Sequence, residues 1–208
     1  DLLQKALFGD NSVNLQNLTG REGALAVFGP AGAALIARVA EMPESEVTDI
    51  GVTTTTVGYA PVRLVRSGVG GEDGWQIQTR SEFLRHVFVE LMEQGASLDV
   101  RLVGARALNA LRLEAGSPGW GVDLTRAFTA LEAGLEDVID FEKEDFRGRE
   151  ALLRQKEMGV GRRLVRLQVT GNARFDAMGQ EPVRTGDGHR VGRTTSGGSG
   201  HTMGKSLA

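Results

Sequence analysis

An α+β fold is predicted for this chain, with an α+β part followed by a β-rich part and a boundary near Arg149 to Arg162. Three observations carry it. The β-branched run Val52 to Val57 has the composition and length of a strand, while Phe83, Leu84, Val87, Phe88, Leu91 and Met92 recur at helical spacing. Glycine accounts for 29 of the 208 residues, roughly twice its usual share, so the backbone must make many tight turns.

Leu25 to Phe28 is a short apolar strand, and Gly29-Pro30 opens a helix from Ala31 to Val39, with proline where its missing N–H costs nothing. Val52 to Val57 and Val62 to Arg66 form a hairpin through Gly58-Tyr59-Ala60-Pro61. After the glycine-rich loop Gly68 to Gly74 comes a strand, Trp75 to Thr79. Thr79 and Glu82 stand at capping-box spacing before the helix that runs to Gly95. Val100 and Leu102, alternating with Asp99 and Arg101, predict a strand, and Gly104 opens a helix from Ala105 to Ala115 closed by Gly116. A short helix from Glu150 to Lys156 follows. Beyond it Val165, Leu167 and Val169 alternate as a strand, and Gly186-Asp187-Gly188 turns a hairpin into a strand around Val191 to Thr195.

Composition excludes several classes of chemistry. There are 24 Lys and Arg against 27 Asp and Glu, a net charge of −3, which speaks against a nucleic-acid partner. No apolar run reaches the roughly 18 residues of a membrane helix. With zero cysteines there is no disulfide, thiolate metal site or cysteine nucleophile. His86, His189 and His201 lack ligand spacing, so no metal site is expected. Gly198 to Ser206 resembles a phosphate-binding loop only superficially, because Ser199 occupies the position of its first glycine. Asp73 likewise spoils a dinucleotide fingerprint in Gly68 to Gly74, and His201 a nucleophile elbow at Ser199. Asp1 to Phe8 show no signal peptide, and Met203 to Ala208 read as a strand cut in mid-element, so a fragment of a longer protein is expected.

Two side chains are singled out. Glu72, in a glycine-rich loop beside Trp75, can pair both carboxylate oxygens with a planar ligand offering adjacent N–H donors, with the indole covering the ring. The same residues also describe a solvated acidic turn. Arg106 falls in the first turn of its helix, where the dipole disfavours a cation, and it is either functional or a surface arginine paired with a nearby acid. Arg112 and Glu114, on the same helix, are read as solvated or paired charges.

Several stretches, in order, resemble the folate-binding family of the glycine-cleavage T-protein, the aminomethyltransferases. They are Leu25-Ala-Val-Phe-Gly-Pro30, Arg66-Ser-Gly-Val-Gly-Gly-Glu72-Asp-Gly-Trp75 and Gly104-Ala-Arg106-Ala-Leu-Asn-Ala-Leu-Arg112-Leu-Glu114-Ala-Gly116. Leu131 to Leu135, Asp145 to Leu152 and Val191 to Gly197 follow in the family's order. The resemblance runs from about Gly20 to the end of the chain. It implies a folate-binding α+β region of mixed or antiparallel sheets with helices over residues 1–150, and the start of an incomplete β-barrel-like domain over 151–208.

By that resemblance Glu72 would bind the pterin ring of tetrahydrofolate and Arg106 would contribute to the folate site. The implied reaction moves a one-carbon unit from an aminomethyl group on a lipoyl carrier protein to tetrahydrofolate, releasing ammonia. The compartment implied is the cytoplasm, or the mitochondrial matrix in a eukaryote. The chain departs from the family at Val69 and Gly70, where a Tyr and a Thr are usual, and at Ala107, where an Asp is usual. The family's catalytic aspartate belongs to a more N-terminal region, so the catalytic acid is unknown and the fragment alone is expected to be inactive. The ending Thr195 to Ala208 is closer to the folate domains fused to dimethylglycine and sarcosine dehydrogenases, which makes a fused or partner FAD-dependent amine dehydrogenase the alternative. A folate-binding module without catalysis is a third possibility. The superfamily's iron–sulfur assembly branch is disfavoured by the lack of cysteine.

Overall fold

The computed structural model describes residues 12–49, 51–68, 70–170 and 176–208; the Asp1 to Phe8 segment and Val69 lie outside the described residues. The chain divides into two compact units, Asp1–Leu102 and Val103–Ala208. Among the described residues no helix is long and apolar enough to cross a membrane.

The first unit is built on a four-stranded antiparallel sheet of β1 (Glu22–Phe28), β2 (Val52–Val57), β3 (Ala60–Arg66) and β4 (Gly74–Arg80), in the order β1-β4-β3-β2. The hairpin between β2 and β3 is tighter than the sequence predicts. Val57 pairs with Ala60, which leaves only Gly58-Tyr59 in the turn, and the φ of 53° falls on glycine at the first central position. Pro61 is therefore a strand residue opposite Thr56. It is tolerated because the ladder to β4 begins at Arg63, so its missing N–H breaks no bond to β4.

The sheet packs against α1 (Gly32–Val39), α2 (Glu44–Asp49) and α3 (Leu84–Gly95). Leu35, Ile36 and Val39 of α1, Val47 of α2, Val62, Leu64, Trp75 and Ile77 of the sheet, and Val87 and Leu91 of α3 are buried in one cluster. Leu84 starts α3 only after a short 3-10 turn, Ser81–Phe83. The expected capping box does not form, because Thr79 is a buried strand residue whose hydroxyl donates to the Pro61 carbonyl at 2.7 Å. Trp75 also departs from expectation. It is 3% exposed and packs into the core, so it cannot cover a ligand ring.

The strand expected at Val100 to Leu102 is absent. Asp99 takes a left-handed φ of 54° and pairs locally with Arg101, Val100 tucks against Gly95, and Leu102 is 73% exposed and pairs with no strand among the described residues. Extended backbone without a neighbouring strand has no ladder to join.

The second unit opens with α4 (Ala105–Ala115), which ends as the sequence predicts: Gly116 has φ 69° and its N–H donates to the carbonyls of Arg112 and Leu113. A long irregular stretch leads to α5 (Arg149–Met158). Then β5 (Gln168–Val169), β8 (Gly198–Gly200) and β9 (Lys205–Leu207) form a three-stranded sheet in the order β5-β9-β8, and β6 (Pro182–Arg184) pairs with β7 (Arg190–Arg193) around the expected Gly186 to Gly188 turn.

Burial separates two leucines. Replacing Leu64, fully buried in β3, with alanine is expected to cost about 2–5 kcal/mol, whereas Leu102→Ala should stay within about 0.5 kcal/mol of wild type. Urea denaturation of both variants checks this; an equal loss at Leu102 would mean that this segment belongs to the core.

Candidate functional site

In the first unit the candidate loop joins β3 to β4. The Ser67 N–H donates to the Gly74 carbonyl at 2.8 Å and the Gly29 N–H to the Asp73 carbonyl at 3.1 Å, so the stem of the loop is tied to its own hairpin and to the turn before α1. Gly74 is required by space: a Cβ there would lie 2.9 Å from Phe28 Cβ and from the carbonyls of Val27 and Ser67. Gly70 and Gly71 carry φ of 60° and 89°, which a side chain would strain. Between these fixed points Glu72 is exposed, and among the described residues no side chain forms a hydrogen bond or ion pair with its carboxylate.

The anchor of this loop lies beneath it. The Trp75 indole N–H donates to the Val47 carbonyl of α2 at 3.2 Å, and its ring sits where any side chain on Gly32 would clash, a Cβ there falling 2.9 Å from the ring. Burying an indole with its N–H satisfied fixes the first residues of β4, and with them the end of the loop.

In the second unit Arg106 is the second residue of α4 and is exposed, with no hydrogen-bond or ion-pair partner among the described residues. Glu72 and Arg106 thus belong to different units, and each is an exposed charge without a side-chain partner among the described residues.

The polar centre that sequence reasoning missed lies further along α4. Asp123 is 5% exposed, and its Oδ2 accepts from Arg112 Nη1 at 2.6 Å and from the Gly119 N–H at 2.7 Å. Its Oδ1 accepts from Ser196 Oγ at 2.6 Å and from the Thr195 hydroxyl, while Arg112 Nη2 donates to Ser196 Oγ at 2.7 Å. Asn109 joins them, accepting from Arg112 Nε at 3.0 Å and donating to the Gly197 carbonyl at 3.3 Å. Two residues after Arg112, the Glu114 carboxylate accepts the Thr202 N–H at 2.8 Å. Of the two readings the sequence offers for Arg112 and Glu114, the paired one holds: they tie Ser196 and Thr202 to α4. Two of the four partners of Asp123, Thr195 and Ser196, lie more than 70 residues away in the chain, so no local pattern announces the whole centre.

These contacts perturb the acids. Burial works against the charge of Asp123, but the hydrogen bonds from Ser196, Thr195 and the Gly119 amide, with the charge of Arg112, outweigh it and hold the carboxyl below its ordinary 3.8. Hydrogen bonding from Thr202 lowers Glu114 in the same way.

The profile of the GCVT N-terminal domain matches residues 1–143, and that of the glycine cleavage T-protein C-terminal barrel domain matches residues 162–208. The chain belongs to the glycine cleavage T-protein family. It is 35% identical over 184 residues to an aminomethyltransferase of Thermosynechococcus vestitus, covering 88% of this chain and 48% of that one. It is also 32% identical over 210 residues to the mitochondrial dimethylglycine dehydrogenase of Mus musculus, covering 99% of this chain and 24% of that protein. The crystal structure of the glycine cleavage system aminomethyltransferase T from Bartonella henselae superimposes with a TM-score of 0.74 at 30% identity, over 90% of this chain and 50% of that one. The chain thus spans about half the length of the aminomethyltransferases it matches.

The Asp123 centre has a pH signature. Because its folded pKa is lowered, its contribution to stability is whole above about pH 4 and is lost as the pH falls from 3.8 through the folded value. Asp123→Ala is expected to cost about 3 kcal/mol at pH 7, since Arg112 is left without its counter-charge, and the gap from wild type should narrow below pH 4. Urea midpoints measured from pH 7 to pH 3 check both; a gap independent of pH would refute the ionised Asp123.

Proposed function

We propose that this chain is the tetrahydrofolate-binding part of a one-carbon transferase of the aminomethyltransferase type, with Glu72 binding the pterin ring and Arg106 serving the folate's anionic tail. The observation that carries the reading is Glu72 itself, an exposed carboxylate without a side-chain partner among the described residues, on a loop whose stem is held at Gly74 and Asp73. Family membership and relatives named aminomethyltransferase support it.

Both residues suit the group. A carboxylate accepts two N–H donors side by side, the pattern on the amino-substituted edge of a pterin, and a guanidinium complements carboxylates. Bound tetrahydrofolate supplies the nitrogens that receive a one-carbon unit. The chain's own residues bind and orient, so their contribution is the positioning of a reactant rather than a covalent step. The proposed aminomethyl donor is carried on a lipoyl protein, the proposed compartment is the cytoplasm or the mitochondrial matrix, and the proposed division of the chain is a folate-binding region over 1–150 and a barrel-like domain from 151.

A second reading makes the chain the folate domain of a dimethylglycine dehydrogenase-like flavoenzyme. Its support is the relative from Mus musculus, which is aligned over 99% of this chain. An FAD absorbance band in the intact protein would decide for it.

Isothermal titration with tetrahydrofolate tests the site. Glu72→Ala removes a charge-assisted hydrogen-bond pair and is expected to weaken binding about ten- to a hundredfold. Titrations indistinguishable from wild type would refute the assignment. Arg106→Ala is expected to weaken tetrahydrofolate several-fold and to leave a reduced pterin without the glutamate tail unaffected; equal loss for both ligands would remove Arg106 from the tail.

A further inference from the structure

Arg66 is the last residue of β3 and stands opposite Trp75 in the ladder. Its guanidinium reaches out in two directions. Nη1 donates to the Thr48 carbonyl in α2, and Nη2 donates to Asp73 Oδ1 at 3.3 Å. Asp73 is gripped a second time through its main chain, where its carbonyl accepts the Gly29 N–H. The residue next to Glu72 is therefore held by side chain and backbone together. On the other side of Glu72, Gly70 and Gly71 take left-handed φ values that only glycine adopts without strain.

Exposure decides what this ion pair is for. The side chains of Arg66 and Asp73 are 42% and 76% exposed, and a pair so open to solvent contributes little to folding. Geometry is what it supplies. A planar fork can hold two acceptors at a fixed angle, which a lysine ammonium cannot, and here the two acceptors belong to α2 and to the loop. Because α2 also receives the indole N–H of Trp75, the helix is a common anchor for both ends of the loop stem.

We propose that Arg66 is a positioning residue: with Asp73 it forms a clasp that fixes the stem from which Glu72 meets a planar ligand bearing adjacent N–H donors. The proposal rests on the reading of Glu72 given above. Arg66 does not touch the ligand; it restricts the loop beforehand, so that less freedom is lost when the carboxylate engages.

The test is isothermal titration of the full chain with tetrahydrofolate, with melting temperatures alongside, for wild type, Arg66→Met, Asp73→Ala, their double variant, Glu72→Ala and Glu72→Ala/Arg66→Met. Arg66→Met and Asp73→Ala are each expected to weaken binding about three- to tenfold, and the double variant no further, since both remove one clasp. Melting temperatures should stay within about 2 °C of wild type. In the Glu72→Ala background, Arg66→Met should change nothing more, which a merely structural role would not produce. Arg66→Lys keeps the charge and loses the fork, and should bind as weakly as Arg66→Met; full recovery by lysine overturns the clasp. If Arg66→Met binds like wild type while Glu72→Ala is weakened, the clasp is wrong and Glu72 stands. If Arg66→Met weakens binding equally in the Glu72→Ala background, Arg66 acts other than through Glu72 and the proposal falls. If Glu72→Ala itself binds like wild type, the assignment of Glu72 fails first and the clasp with it. Should Arg66→Met not fold, Asp73→Ala and the lysine variant carry the same comparison.

Discussion

A buried indole must find a partner for its N–H, and in the first unit that requirement organises the elements around the loop. Trp75 donates to Val47, so α2 must end beside β4. Its ring occupies the space over Gly32, so α1 must begin with a residue that has no side chain. The backbone immediately before it must pass between Phe28 and Ser67, which only glycine permits at position 74. Each requirement is local, but all three meet at the point where the β3–β4 loop returns to the sheet.

The second unit is held by other means. Among its described residues the buried hydrophobics are Ala110, Leu113, Leu131 and Leu207, a small set beside the core of the first unit. Polar contacts carry correspondingly more of the burden: Asp123 joins α4, the loop at Gly119 and the segment from Thr195 through a single carboxylate. All four of its contacts are donors directed at a charge, and such bonds are stronger than neutral ones. Arg112 satisfies its three nitrogens on Asn109, Asp123 and Ser196, so neither partner of the buried pair is left with an unmet charge.

What could be read from the sequence follows the range of the interactions. The helix from Leu84 to Gly95 and the close of α4 at Gly116 were legible, because apolar spacing and a left-handed glycine are set within one or two turns. So were the β2–β3 hairpin and the turn at Gly186 to Gly188, although Pro61 was assigned to a turn when the ladder register makes it a strand residue. The failures are non-local. Thr79 and Glu82 had the spacing of a capping box, but a hydrogen bond across the sheet to Pro61 claims the threonine. Val100 to Leu102 alternate as a strand should, yet a strand needs a neighbour, and the alternation cannot reveal that none of the described strands pairs with it. The place of Trp75 beside the loop suggests a ligand cover; only the positions of α1 and α2 show that it is core. Glu72 and Arg106 stand out by their places in a glycine-rich loop and a first helical turn, and resemblance to a family gives them their expected roles; Asp123 depends on Thr195 and Ser196, more than 70 positions away, which the sequence around it does not show.

Two arginine–aspartate pairs show how burial changes the work of the same chemistry. Arg112 and Asp123 have side chains 17% and 6% exposed; removing either strands a charge out of water, so the pair locks its surroundings. Arg66 and Asp73 keep their charges in solvent, where water replaces either partner at little cost, so their contact cannot lock anything by energy alone. It can still choose among loop conformations that differ little in free energy, because near-degenerate states are sorted by small biases. A stiff hub and a light directing contact are thus built from identical side chains, and the difference lies in the depth at which the backbone sets them.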